Sequence, residues 1–404
     1  MEKIERNFIW LTAANVTSGL FTVILFIYLA RTLEAENFGY LSYAGAIVFY
    51  IFNFIDLGLS TYGIREIAKD RPEASEYVSN IVSFKLILAV SLFTGFVIIC
   101  SLSHQLLLVK ILMLETALMF FVSALASEWA FQGLEKMYMV FVSLGLTSFL
   151  QLLLSVLIVK NPGDLLKVPL INFFASIPVI VFFLSRLKFR LRLFTLDIKK
   201  IRVYLSSSIV IWSISIFAQV YNGLDIAILG FFRPPQEVGY FSVARRIVGG
   251  VTLLMTFLAS AVLPHLSSTF KDDMPGFRRG TRKFLKMSGM ILVLIFVPVI
   301  LFSSQIISLT VGNEYLPASM PLKIMMIAIV LVTFNLPYST GLIAARLEKE
   351  VLKQACASAA LSLFLNFLLI PRYGMIGASV SFFFAELLAL IWIITVYNNK
   401  IRAR

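Results

Sequence analysis

Charge is scarce in this chain. Of its 404 residues only 14% are Asp, Glu, Lys or Arg, while 59% are apolar. Soluble domains carry about a quarter charged residues, so a soluble protein of this length is excluded. Cysteine and histidine are rarer still, at two each. Cys100 and Cys356 lie far apart in apolar runs, and His104 and His265 are isolated. That spacing supports neither a disulfide framework nor a Cys/His metal site. No Gly-x-x-x-x-Gly-Lys-Ser/Thr run is present, so no ATP-binding loop is indicated. Long polar connections are missing too, which leaves no soluble domain for a catalytic site. The expectation is therefore a protein that is not an enzyme and needs no cofactor.

What the chain does have is long apolar runs and 37 phenylalanines, a composition suited to lipid-facing helices. A run of about 20 apolar residues spans a bilayer core. That window predicts an all-α integral membrane protein of about twelve transmembrane helices. They lie at roughly 8–30, 40–63, 78–102, 106–128, 137–160, 167–185, 204–231, 239–266, 285–304, 320–345, 353–370 and 374–397. The first run is longer than a signal-peptide core and lacks a small-x-small cleavage site, so it reads as a permanent span. With both ends set in the cytoplasm, inner segments carry 25 of the 35 Lys and Arg residues and outer segments five. This asymmetry predicts cytoplasmic N- and C-termini in an inner membrane. It also accounts for the net charge of +13 without nucleic acid as a partner.

The chain repeats itself. Asn37-Phe-Gly-Tyr-Leu-Ser-Tyr-Ala44 matches Glu237-Val-Gly-Tyr-Phe-Ser-Val-Ala244 at an offset of 200 residues. Six helices separate the copies, so both have one orientation, as in parallel transporter repeats. Two lobes are expected: residues 1–190 with six helices, then a basic linker and six more over 191–404.

The repeat draws attention to Gln219–Ile247. Here Asp225 stands late in one apolar helix and Arg245 and Arg246 stand early in the next, where the first half has Leu25, Gly45 and Ala46. The fold makes the same helices without these charges, and ionisable groups inside a membrane normally serve a pathway. Arginine binds phosphate oxygens through a planar fork and stays charged. Asp225, with Asn222 three residues before it on one face, suits sodium or a proton. The alternatives are that the arginines snorkel to the interface and that Asp225 makes an interhelical tie. Glu115 and Glu386 fall mid-helix and are further candidates for ion coupling. Lys85, near the inner edge, could meet a headgroup on entry or snorkel. Pro178, Pro264, Pro298 and Pro337 permit kinks.

Three stretches carry a family resemblance over nearly the whole chain. Phe54-Ile-Asp-Leu-Gly-Leu-Ser-Thr-Tyr-Gly-Ile-Arg-Glu-Ile-Ala-Lys69, Glu128-Trp-Ala-Phe-Gln-Gly-Leu-Glu-Lys-Met137 and Pro371-Arg-Tyr-Gly-Met-Ile-Gly-Ala378 resemble Wzx-type flippases. The second stretch is the most specific. The resemblance implies the MOP exporter superfamily: two six-helix lobes around a central cavity, working by alternating access. It implies transport of polyprenyl-diphosphate-linked oligosaccharide for O-antigen or a related surface polysaccharide, with membrane lipid and a polymerase or assembly machinery as partners. In the related peptidoglycan-precursor flippases an acid on helix seven is linked to sodium and an arginine on helix eight faces substrate. Asp225 and Arg245 stand at similar positions. Cavity arginines on the first two helices have no counterpart here before Arg31 and Arg65. The alternatives are a multidrug exporter of the same fold and, from another class, a membrane polymerase or ligase.

Overall fold

The computed structural model describes residues 2–187 and 197–402, with the side chains of 2–4, 210, 211, 214–222, 271 and 402 outside that description. Among the described residues the regular structure is helical, with no strand. Backbone groups in hydrocarbon must be satisfied within the segment, and a helix does this unaided. Nine helical stretches among these residues are long and apolar enough to cross a membrane. Two of them, 5–69 and 348–401, hold 65 and 54 residues. At 1.5 Å per residue each exceeds twice the ~30 Å of a hydrocarbon core. Each is broken, at Glu34 (φ 62°) and at Gly374 (φ 56°). Both breaks fall between spans expected from the sequence. The helix over 198–232 is absent from the nine, and only part of it is described at side-chain level. The expected twelve are therefore not counted one for one.

The chain divides into two compact units, residues 1–216 and 217–404. The division falls later than the expected boundary at 190. Ile201 and Tyr204 belong to the apolar core of the first unit, and the Trp212 indole donates to the Asn53 carbonyl at 2.9 Å.

In the first unit, α1 (Glu2–Asp56) is followed by α2 (Leu59–Lys69), α3 (Ala74–Leu102), α4 (Leu107–Ala117), α5 (Met119–Leu125), α6 (Glu128–Gly133), α7 (Met137–Ile158) and α8 (Lys167–Arg186). The first part of α1 runs parallel to α7, because contacts advance together along both. Trp10 meets Phe141, the Ser18 and Ser148 hydroxyls lie 2.7 Å apart, and Phe21 meets Phe149. Phe26 and Phe38 touch across the Glu34 break, so the chain folds back there. Leu57 and Gly58 have positive φ (45° and 78°) and separate α1 from α2. A Cβ on Gly58 would lie 2.7 Å from the Ser208 carbonyl, which explains the glycine.

The first two stretches carrying the family resemblance pack on each other. Gly63 of α2 lies flat on the Trp129 ring, and a Cβ on Gly133 would stand 2.9 Å from the Ile67 Cβ. Those residues thus make a close helix crossing. The four prolines expected to permit kinks do not mark the sharp breaks: Pro178, Pro264, Pro298 and Pro337 all lie within continuous helices.

The helix α9 (Ile198–Phe232) ends in the second unit, which continues with α10 (Pro235–Asp272), α11 (Met274–Leu301), α12 (Ser303–Thr310), α13 (Ser319–Ala344) and α14 (Glu348–Tyr397). The short α12 was not expected from the apolar pattern. At Gly374 the chain reverses so tightly that a Cβ on Gly377 would stand 2.5 Å from the Leu369 carbonyl oxygen.

The repeated motif does one job in both units. Asn37 donates to the Pro162 carbonyl at 3.2 Å, tying the head of its segment to the turn before α8. Glu237 accepts from the Met375 backbone N–H at 3.2 Å, tying the same place in the second unit to the last segment of α14.

Candidate functional site

Two prolines set the geometry of the candidate site. After α9 closes at Phe232, Pro234 is extended and Pro235 opens α10, where its missing N–H costs nothing. Arg245 follows ten residues on, about 15 Å along the helix. There its Nε stands 3.3 Å from Oδ2 of Asp225, with side chains 13% and 8% exposed. The other carboxylate oxygen, Oδ1, accepts from the Ile226 backbone N–H at 2.9 Å. The guanidinium also lies over the Phe382 ring, 4.7 Å from its centroid. Such a contact contributes about 0.5–2 kcal/mol as it loses water.

Phe382 lies on α14 after the Gly374 reversal, and Glu386 follows one turn on, sharing its face. Glu386 is buried, at 7% exposure. The second unit therefore gathers Asp225, Arg245 and the Phe382–Glu386 face from three helices. Phe382 had no signal in the sequence: it is one of three consecutive phenylalanines, more than 130 residues from its partner.

Arg246 separates from Arg245. Successive helical residues point about 100° apart. Arg245 accordingly turns into the unit, while Arg246 is exposed on its surface. The two arginines that the sequence left undivided thus differ in place: Arg245 meets Asp225 and Arg246 lies at the surface. The Gln219 and Asn222 side chains lie outside the described residues.

The remaining candidates are in the first unit. Lys85 is 2% exposed, so it does not snorkel. Its ammonium makes an ion pair with Asp56, donates to the Ser60 hydroxyl at 2.7 Å and lies 5.8 Å from the Trp129 ring centroid. The alternative that Lys85 snorkels is corrected by this burial and pairing: the ammonium meets Asp56, whose own side chain is 34% exposed. Glu115 is partly buried on α4, two residues before that helix ends at Ala117. Its Oε2 is buried without a hydrogen bond. Among the described residues no group of three or more His, Cys, Asp or Glu is placed to hold a metal ion.

Residues 4–270 match the family model described as polysaccharide biosynthesis protein. A protein of Escherichia coli (strain K12) assigned as an O-antigen transporter is 25% identical over 98% of each chain. Two solved structures share the fold. One is an inward-facing multidrug resistance MATE family transporter of the MOP superfamily, with TM-score 0.76, 14% identity, and coverage of 96% of this chain and 95% of that one. The other is the lipid II flippase MurJ in an inward closed conformation, with TM-score 0.75, 14% identity, and coverage of 96% and 87%.

Proposed function

The chain belongs to the polysaccharide biosynthesis protein family, and on that premise we propose that it is a flippase. Its cargo is a polyprenyl-diphosphate-linked oligosaccharide, carried across the cytoplasmic membrane for O-antigen or a related surface polysaccharide. Both termini are cytoplasmic, as the basic loops argue, and the helices make twelve crossings once the two broken stretches count as two each and the 198–232 helix is added. A polymerase or assembly machinery receives the product outside. The protein itself changes no covalent bond.

The observation that carries the reading is the Asp225–Arg245 pair beside an exposed Arg246 within membrane-length helices. A sugar diphosphate needs cations to leave water, and Arg246 offers one at the surface. Arg245 is held by Asp225 until a sodium ion or proton occupies the carboxylate. Binding of that cation releases the guanidinium, so that substrate and ion are linked through one acid. Alternating access driven by an inward ion gradient follows without ATP. Glu115 and Glu386 are the further acids available for the coupling ion. Lys85 takes part only if its pair with Asp56 opens.

Expression of Arg245→Ala and Arg246→Ala variants in a flippase-null strain tests this reading. Each should lower surface polysaccharide by about tenfold or more, the worth of a charge-assisted hydrogen bond, at unchanged membrane abundance. Normal polysaccharide from both variants contradicts it. The MATE-like fold favours one second reading, a multidrug exporter. Dye efflux from vesicles without movement of labelled polyprenyl-diphosphate sugar would select that alternative.

A further inference from the structure

Away from the Asp225–Arg245 pair, the second unit holds a cavity of about 200 Å³ at the basic end of α11. Arg278, Thr281, Arg282, Tyr338, Tyr397 and Asn398 line it. Drug-sized ligands occupy pockets of about 300–1,000 Å³, so this one suits a single small group and not an oligosaccharide. Its polar lining is two guanidiniums, three hydroxyls and an amide, a donor-rich set for an oxyanion.

The lining is held in place. The Tyr338 and Tyr397 rings meet at 5.0 Å and 70°, and Tyr397 is 7% exposed within the apolar cluster of Phe277, Leu342 and Ile393. A Cβ on Gly341 would be 3.1 Å from the Tyr397 ring, so the two helices approach closely there. The Tyr397 hydroxyl lies 3.5 Å from that of Thr281, and Arg278 donates to the Ile401 carbonyl at 3.3 Å. One turn along α11 from Arg278, Arg282 has no ion-pair partner among the described residues. Its neighbour Arg279 faces Asp273 at 3.8 Å and is 77% exposed.

The same helix supplies a lipid-shaped continuation. From Arg282 the exposed positions run through Lys286 to Met290, Val293 and Val297, at steps of three or four residues. Met290 and Val293 are 63% and 60% exposed. A cationic pocket thus stands at the head of an apolar stripe on one helix face. Basic pockets beside membrane helices recognise anionic headgroups through charge and hydrogen bonding together.

We infer that the Arg278–Arg282–Tyr338 pocket binds the phosphate of a lipid headgroup, whose chain lies along the Met290–Val297 face of α11. The phosphate ester of an anionic glycerophospholipid and that of a polyprenyl carrier present the same oxyanion, and the pocket reads that group. The inference does not rest on transport, because lipid retention is measured on the resting protein.

Native mass spectrometry of the purified full-length chain tests it, with phosphatidylglycerol, a polyprenyl diphosphate, phosphate-free diacylglycerol or inorganic phosphate added in turn. Phosphatidylglycerol or the polyprenyl diphosphate should be retained, and the tighter of the two identifies the source. Arg282→Gln should weaken that retention about tenfold. Tyr338→Phe, which keeps the ring packing, should weaken it about threefold, and Arg279→Gln should leave it unchanged. Equal retention of diacylglycerol, an equal loss in Arg279→Gln, or wild-type retention in both Arg282→Gln and Tyr338→Phe would overturn the inference. So would inorganic phosphate binding as tightly as the lipids, since a lipid chain would then add nothing.

Discussion

Each unit sets an acid against a base among its helices, and the two pairs differ in which partner is shut from the surface. In the first unit Asp56 holds Lys85 with help from the Ser60 hydroxyl, which bonds both partners. The cation is 2% exposed, and Trp129 stands over it. In the second unit the Arg245 Nε stands 3.3 Å from Asp225, with Phe382 over the guanidinium and the arginine 13% exposed. A hydroxyl bridge and a fully buried cation make the first pair a structural tie, although its acid is 34% exposed where Asp225 is 8%. The second pair is closed on its acid side and leaves its arginine partly open, with Arg246 exposed beside it. A buried pair that loses one member leaves a charge without compensation. The two sites should therefore fail in different ways.

The largest effect on folding belongs to the first pair. Lys85→Met leaves the partly exposed Asp56 without its cation near the Trp129 crossing and should cost about 2 kcal/mol, less than for a fully buried pair, read as a lower thermal midpoint of the purified protein. Adding Asp56→Asn should restore part of that loss; no recovery in the double variant would show that the pair is not the cause. Arg245→Lys comes next. It keeps the charge but loses the planar fork, and should lower transport several-fold with a stability change of about 1 kcal/mol. A full loss of folded protein would remove the distinction between the two pairs.

How much of this was legible beforehand differs between the regions as well. The apolar windows and the Lys/Arg asymmetry located nearly every membrane-length helix, because hydrocarbon imposes both signals locally. The 200-residue repeat pointed to corresponding places, and Asn37 and Glu237 occupy corresponding roles. Asp225 and Arg245 stood out as charges the first half lacks. Their partner Phe382 did not, since a ring within Phe382-Phe-Phe384 gives no sign of which member meets a cation. The partner of Lys85 was hidden for a similar reason: Asp56 is 29 residues away across a turn, and one-dimensional spacing cannot show that it arrives beside the ammonium. Breaks at Glu34 and Leu57 were hidden too, because neither residue type signals positive φ.

Smaller effects test the frame around the pairs. Gly374→Ala places a Cβ into Glu237 and Arg233 at φ 56° and should cost about 1–2 kcal/mol. Glu237→Gln removes the ion pair to Arg233 while keeping an acceptor for Met375, and should cost about 0.5 kcal/mol; both are checked by thermal unfolding. The smallest effect concerns the turn before α8. The Lys167 ammonium and the Lys160 backbone N–H hold the Asp164 carboxyl below the usual carboxylate range. Its contribution is therefore present above its unfolded pKa and lost as pH falls through the lowered folded value. Asp164→Asn should flatten the acid limb of the stability profile by lowering stability slightly at neutral pH and leaving it nearly unchanged below the folded pKa.

The central claim is that Asp225 links an ion to the release of Arg245. Proteoliposomes carrying labelled polyprenyl-diphosphate oligosaccharide, assayed with and without an imposed sodium or proton gradient, test it in the Asp225→Asn variant. The account predicts that wild-type flipping rises with one of the two gradients, while the variant flips at a rate that ignores both. A variant that still follows the gradient as the wild type does would contradict it.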